Sequence, residues 1–268
     1  MRHELVSDEM WAAVEPLLPE EPPKPKGGRP RVPDRDALRG IVFVLRSGLP
    51  WEMLPREVFG CSGMTCWRRL RDWQQAGVWD RLHRTLLERL HRSGELDWGR
   101  TALDSQSTAA KKGGAATGPN PTDRGKPGTK RHTVTDARGT PLGLTLTGAN
   151  RHDSMALAAA LDAVPGVRSG GPGRPRMRPD KLHADKAYDS RRCRRECRAR
   201  GITPRIARKR IDRSDRLGRH RWVVERTFAW MDQFRRLVTR YERRADIHAA
   251  LTKLAACMIC LNQISRFC

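Results

Sequence analysis

The sequence predicts a mixed α/β protein, with a helical part over residues 1–98 and strands alternating with helices over 99–268. Three observations carry this expectation. Apolar residues recur every three or four positions from residue 10 to residue 90. From Thr101 onward, short β-rich runs bounded by Gly and Pro interleave with helical periodicity. The 268 residues suit one large domain or two modest ones.

Ser7 opens a first helix as its N-cap, with an apolar stripe of Met10, Trp11, Val14, Leu17 and Leu18. Residues 19–33 (PEEPPKPKGGRPRVP) form a Pro/Gly/basic linker that proline keeps from being helical. Its GGRPR segment, with Arg29 and Arg31, suits an extended arm in a DNA minor groove as well as a solvated linker. A helix over 34–46 carries Leu38, Ile41, Val42 and Leu45. Ser62 caps a helix from about Met64 to Ala76, with Cys66, Trp67, Leu70 and Trp73 on one side and Arg68, Arg69 and Arg71 elsewhere. The next helix carries Trp79, Leu82, Leu86 and Leu90. Such helices, one studded with Arg, fit a helix-turn-helix module in a major groove. A plain helical bundle with solvated arginines is the alternative reading of the same pattern.

In the second part, Thr101–Asp104 is a short strand ending in an acid, and residues 109–130 read as a mobile Gly/Pro-rich stretch. RHTVTDARGTPLGLTLTG is a hairpin around Arg138-Gly139. A helix over 155–164, a basic insert, a strand over 181–184 running into Asp185, and an Arg-rich helix over 190–200 follow. The chain closes with a brief strand at 202–206, a long helix from Arg219 to about Arg240, and a final apolar helix carrying Ile247, Leu251, Leu254, Met258 and Leu261.

Fifty-three Lys and Arg oppose 30 Asp and Glu, giving a net charge of +23 and a pI near 11.0. An excess of this size points to a phosphate polymer or an anionic membrane surface, and away from small neutral metabolites. It also does not suit collagen-like or fully disordered chains. The first residues, MRHELVSDEMW, hold acids and no apolar core, so no signal peptide is expected. The best membrane candidate, LTKLAACMICLNQISRF, is broken by Lys253, Asn262 and Gln263, so no membrane span is expected. Seven cysteines without a secretory signal suggest a reducing cytoplasm. Cys61/Cys66, Cys193/Cys197 and Cys257/Cys260 are paired by spacing but lack the four-ligand set that structural zinc needs.

In a chain so poor in acids, position matters. Asp104 and Asp185 each follow a strand, where ligands gather in mixed sheets, and Glu225 lies among basic residues on a helix. Three carboxylates at close range repel unless a hard cation such as Mg²⁺ neutralises them, and a pair of such ions drives in-line phosphodiester attack. Each acid also has a local reading: Asp104 as a turn or cap, Asp185 paired with Lys186, Glu225 paired with Arg221 at i,i+4.

Four strings in order, ALDSQS around Asp104, GANRHDS at 148–154, ADKAYDS around Asp185 and RWVVERTFAWMDQFRRL around Glu225, resemble the motifs of DDE transposases from bacterial insertion sequences. The likeness is closest to insertion sequence family five, within the family-four-like class, and spans nearly the whole chain. It implies a ribonuclease-H-like catalytic core at 99–268 behind a helix-turn-helix-like DNA-binding domain at 1–98. Asp104, Asp185 and Glu225 would be the three catalytic acids and the ligands of Mg²⁺, with Mn²⁺ as a substitute. Asp185, Ala187, Tyr188 and Asp189 match the signature of the second acid, and Arg221 with Glu225 match the centre of the third. Gly218 stands where the family has Tyr and Asp232 where it has a basic residue, with Arg235 and Arg236 one turn on as replacements for that charge.

The implied activity is cleavage at the ends of an insertion element and strand transfer into target DNA. An inactive, transposase-derived DNA-binding regulator is the alternative. From Lys186 to Arg226 there are 16 basic and 5 acidic residues, so the proposed ligands lie in a phosphate-binding surface. Expected DNA contacts are Arg29, Arg31, Arg68, Arg69, Arg71, Lys130, Arg221 and Arg226, and His152 and Asp153 border the site. The implied partners are terminal inverted repeats and target DNA as duplex, plus further copies of the chain, as a dimer or higher oligomer, at the bacterial nucleoid in the cytoplasm.

Overall fold

The computed structural model describes residues 4–21, 27, 30–208 and 214–267, with side chains for all of these except 214–221 and 267. Arg29 therefore lies outside the described residues, and of Arg221 only the helical backbone is described.

Among the described residues, five α-helices and two short 3₁₀ turns form the first part. Helix α1 (Asp8–Val14) is capped by the Ser7 hydroxyl, which accepts from the Met10 amide at 3.2 Å. Helix α2 (Asp34–Ser47) ends on Gly48, whose φ of 76° is the left-handed closure that glycine adopts freely. After the short α3 (Arg56–Phe59), Ser62 caps α4 (Gly63–Gln75) through the Thr65 amide at 3.2 Å. Trp73 of α4 meets Trp79 of α5 (Val78–Arg92) edge to face, with centroids 5.8 Å apart.

The second part is built on one sheet. Strand β1 (Thr101–Ala109) pairs antiparallel with β3 (Pro127–Asp136), which pairs antiparallel with β4 (Pro141–Gly148), while the two-residue β2 (Gly118–Pro119) extends the β4 edge. On its other side β1 pairs in parallel with β5 (Lys181–Ala184), and β5 with β6 (Thr203–Ile206). The order of the longer strands is therefore β4-β3-β1-β5-β6, three antiparallel and then two parallel, the ribonuclease-H-like arrangement. The β3–β4 turn falls at Arg138-Gly139 as the sequence indicates. There Asp136 accepts from the Arg138 and Thr140 amides at 3.0 and 2.7 Å, and burial pushes its carboxyl up to about 6.

Alternation along β1 decides what each face carries. Leu103, with Leu182 and Ala184 of β5, joins the main core below α6 (Leu157–Asp162) and α7 (Arg191–Ala199). Ala102 points the other way, into a small cluster with Val224 and Phe228 of α8 (Ser214–Asp232). Helix α10 (Ala245–Phe267) packs on α5, α4 and β4, so one continuous apolar core runs through both parts of the chain. This helix is long and apolar enough to cross a membrane, but 83% of its apolar window is buried in the protein.

Three elements differ from the sequence reading. The long helix expected over 219–240 ends at Asp232, and the chain turns through an extended Phe234 before α9 (Arg235–Val238), which sends Phe234 and Leu237 into the core. The strand expected at 101–104 continues to Ala109 because β3 pairs with it throughout. The stretch at 109–130, expected to be mobile, holds β2 and the start of β3 and is fastened by the buried Arg240, which donates to the Ala115 and Ala116 carbonyls at 2.7 and 3.2 Å.

Candidate active site

The last parallel pair between β1 and β5 is Leu103↔Ala184, so Asp104 and Asp185 follow side by side on neighbouring strands. Their Cα atoms stand about one strand spacing apart, ~4.8 Å. By alternation both belong to the Ala102 side of the sheet, the side that α8 covers. Asp104 is half-buried, with one carboxylate oxygen accepting from the Ser105 amide at 2.8 Å. Asp185, also half-buried, caps a single 3₁₀ turn (Lys186–Tyr188) by accepting from the Ala187 amide at 2.9 Å. That is a cap, in place of the local pairing with Lys186 that the sequence leaves open.

Directly behind lies Tyr188, fully buried and with no partner for its hydroxyl among the described residues. Burial raises this phenol well above its ordinary range, and the nearby charges of Asp153, Asp104 and Asp185 raise it further. Asp153 belongs to the same neighbourhood. Its carboxylate accepts from Ser105 Oγ at 2.8 Å and from Lys130 Nζ at 2.9 Å, and those two contacts outweigh burial to hold it below the usual carboxylate range. His152 caps the turn that Asp153 opens, accepting from the Ser154 amide.

Glu225 sits apart from this pair. It lies on α8 next to Val224, whose side chain reaches Ala102 two residues before Asp104, yet Glu225 itself is on the exposed side of the helix. Among the described residues no three His, Cys, Asp or Glu side chains are gathered to hold a metal ion, and the six described cysteines are buried thiols.

A family model described as "Transposase DDE domain" matches residues 99–261, and one described as "Putative transposase of IS4/5 family" matches residues 6–83. The chain belongs to the DDE transposases of insertion sequences. A relative from Burkholderia cepacia, "Putative transposase for insertion sequence element IS402", is 55% identical over 150 residues, covering 56% of this chain and 71% of that protein. A second from the same organism, "Insertion element IS402 uncharacterized 16.2 kDa protein", is 52% identical over 126 residues, covering 45% of this chain and 84% of its own length. Two solved structures, "Mos1 transposase paired-end complex with left transposon end" and "Crystal structure of a pre-cleavage Mos1 transpososome", align over 90% of this chain and 82% of theirs. They share 11% and 13% identity and TM-scores of 0.27 and 0.28.

Within this DDE chain, the residues expected at DNA separate into two groups. Arg68 is exposed on α4, and no ion pair engages it among the described residues. Arg31 pairs with Asp34 at 3.3 Å, and Arg71 pairs with Asp72 while lying over Trp67. Arg69 is a correction: it is 7% exposed and ties α4 to Asp34 at 3.0 Å and to the Val32 carbonyl at 3.2 Å, because it falls on the buried face of α4. Lys130 is likewise turned inward to Asp153 and the Arg151 carbonyl. Arg226 lies between Trp222 and Trp230, 4.5 and 4.8 Å from the ring centroids, with one guanidinium N–H on the Arg138 carbonyl.

Asp232, the departure from the family pattern, has a structural reason. It ends α8 and accepts from Arg131 at 3.0 Å and Gln106 at 2.7 Å, fastening the helix that carries Glu225 to β1 and β3. Arg236, expected to replace the missing charge, is buried against Glu242 at 2.8 Å and the Gly48 and Leu49 carbonyls, whereas Arg235 is exposed. Sequence reasoning missed Gln106 and Arg131, whose signal was an uncommon run of polar residues within strand-like sequence, and Arg240, which it placed at the end of a helix.

Proposed function

We propose that this chain cuts DNA at the ends of an insertion element and joins the freed 3′ hydroxyl to target DNA. The observation that carries the reading is the register that sets Asp104 and Asp185 side by side under α8. Hard oxygen donors on neighbouring strands suit Mg²⁺, which takes one or two carboxylates and leaves further positions to water and phosphate. Asp104 and Asp185 would hold it, with Mn²⁺ as a substitute, and Glu225 would join them on the DNA-bound chain. When bound, the ion supplies Lewis acidity for in-line attack on phosphorus. In the first reaction water attacks, the P–O3′ bond breaks and a 3′ hydroxyl is released. In the second that hydroxyl attacks a target phosphodiester and displaces its 3′ oxygen.

The protein's own residues bind and orient the duplex. Arg68 on α4 and Arg221 on α8 meet phosphates in this reading, positioning the strand without reading sequence. The helical segment at 1–98 engages the terminal repeats, the segment at 99–268 does the chemistry, and pairing of two ends brings a second copy. Such a protein acts at the bacterial nucleoid in the cytoplasm.

The test is gel analysis of the purified chain with duplex carrying its element ends and Mg²⁺, scoring nicking and joining separately. Wild type is expected to give both products. Asp104→Ala, Asp185→Ala and Glu225→Ala should abolish both while duplex binding persists. Nicking without joining would make the chain a plain nuclease. Binding without either product would make it a regulator, and joining by any of the three variants would remove the assignment of that acid.

A further inference from the structure

A cavity of about 530 Å³ opens where the helical and DDE segments meet, lined by neither Asp104, Asp185 nor Glu225. It lies beside Ala110, which bridges to Arg240 six residues beyond Asp104 along β1, about 20 Å at strand rise. Trp51 and Trp67 wall it from the helical side, and Lys112, Tyr241 and Arg243 from the other.

The walls are fixed in advance. Arg236 stitches the two segments by donating to Glu242 and to the carbonyls of Gly48 and Leu49. The end of β1 is clamped by paired backbone bonds, Arg240 N–H to the Ala109 carbonyl at 2.8 Å and Lys111 N–H to the Arg240 carbonyl at 3.0 Å. Gly114 packs so closely there that a Cβ would stand 2.1 Å from the Arg243 carbonyl, and its φ of +109° is open only to glycine.

The lining combines aromatic faces and cations with the exposed carboxylate of Glu52 at its helical edge. Tyr241 is 40% exposed, with the Arg236 guanidinium 5.2 Å over its ring, and Trp67 is half-buried, with Arg71 and Arg244 at 5.6 and 5.9 Å. These are aromatic faces and guanidinium planes on which a flat heterocycle stacks. Arg236 and Arg244 are already paired, the latter with Asp246 at 2.6 and 3.0 Å. Lys112 and Arg243 are exposed, and no ion pair engages them among the described residues, so two cations stand ready for a phosphodiester.

We propose that this cavity holds an unpaired nucleotide turned out of a bound DNA strand, its base on Tyr241 and Trp67 and its phosphate at Lys112 and Arg243. The assignment rests on the DNA reading above. A cavity of this volume is of nucleotide rather than duplex size. A strand is favoured over a free nucleotide by the net charge of +23 and by the exposed Arg68 on the helix that carries Trp67.

The test is fluorescence anisotropy at one fixed salt concentration with three probes: a fully paired duplex, the same duplex with one extrahelical 2-aminopurine nucleotide, and the same with an extrahelical abasic nucleotide. The wild-type chain is expected to bind the 2-aminopurine bulge about fivefold or more tighter than the paired duplex and to quench its fluorescence. The abasic bulge should lose that gain. Tyr241→Ala, with a melting temperature matching wild type, should erase the preference while paired-duplex affinity stays within about twofold, and Tyr241→Phe should restore it. Paired-duplex binding with no bulge preference, or a preference that survives Tyr241→Ala, overturns the cavity assignment alone. Equal competition by free deoxyadenosine monophosphate overturns the strand version. No binding to any duplex overturns the DNA reading and this one with it.

Discussion

Replacing Asp232 by Ala removes the polar tie that holds the C-terminal end of α8 to β1 and β3. Arg131, its main partner, is fully buried, with two of its guanidinium-group nitrogens unpartnered among the described residues, and burial already lowers its proton affinity. Stripping the counter-charge from a buried cation costs about 3–5 kcal/mol. The Asp232 side chain is 37% exposed, so water takes over part of its role and the expected loss is about 2–3 kcal/mol. For a chain of this size that is a fall in melting temperature of roughly 4–12 °C, read by circular dichroism. Asp232→Asn, which keeps an acceptor for Gln106 and Arg131, should lose about half as much. Arg71→Ala, which breaks the more exposed pair with Asp72 and the contact over Trp67, should change stability by less than about 1 kcal/mol. Because α8 carries Glu225, Mg²⁺-dependent nicking by Asp232→Ala should fall even well below its melting temperature. A variant that melts within about 1 °C of wild type would refute this account of the α8 anchor.

Two neighbouring arginines should separate cleanly. Arg68→Ala is expected to weaken duplex binding and lower the slope of log affinity against log salt by about one, at unchanged stability. Arg69→Ala is expected to lower the melting temperature instead, since it breaks the tie to Asp34 and Val32, and equal effects of the two on binding would contradict the placement. His83 donates through Nε2 to the Pro141 carbonyl at 2.7 Å, and burial, with Lys253 nearby, lowers it from 6.5 to about 4. Between those values the unfolded chain binds the extra proton, so stability is full above pH 6.5 and falls as pH drops toward 4, by about 3 kcal/mol from this group. His83→Gln should flatten that acid-side decline in denaturant titrations at pH 7, 5.5 and 4.5, and an unchanged slope would count against it.

Local chemistry was readable because it acts over a few residues. The Ser7 and Ser62 caps, the turn at Arg138-Gly139 and the two strands that run into Asp104 and Asp185 all follow from neighbours in sequence. Periodicity assigns a residue to a face but not to a partner, and this is where sequence reasoning stopped. Arg69, one position from the exposed Arg68, turns inward to Asp34, 35 residues away in the chain. Arg131 meets Asp232 across 101 residues, and Arg240 meets Ala115 across 125. The end of α8 was hidden for the same reason, because the residues that stop it at Asp232 lie on other elements. The resemblance to the DDE motifs named all three acids, yet only Asp104 and Asp185 are set together by strand register, while Glu225 depends on how a separate helix closes.

The most direct measurement replaces one proposed ligand with a softer one. Asp104→Cys and Asp185→Cys should be inactive in nicking with Mg²⁺, which binds thiolate poorly, and should regain activity with Mn²⁺ or Cd²⁺. The same substitution at Asp153, placed beside the pair but bonded to Ser105 and Lys130, should show no such metal-dependent rescue. Full Mg²⁺ activity in either variant, or inactivity with every metal while duplex binding and melting temperature match wild type, would contradict Asp104 and Asp185 as the residues that hold the ion.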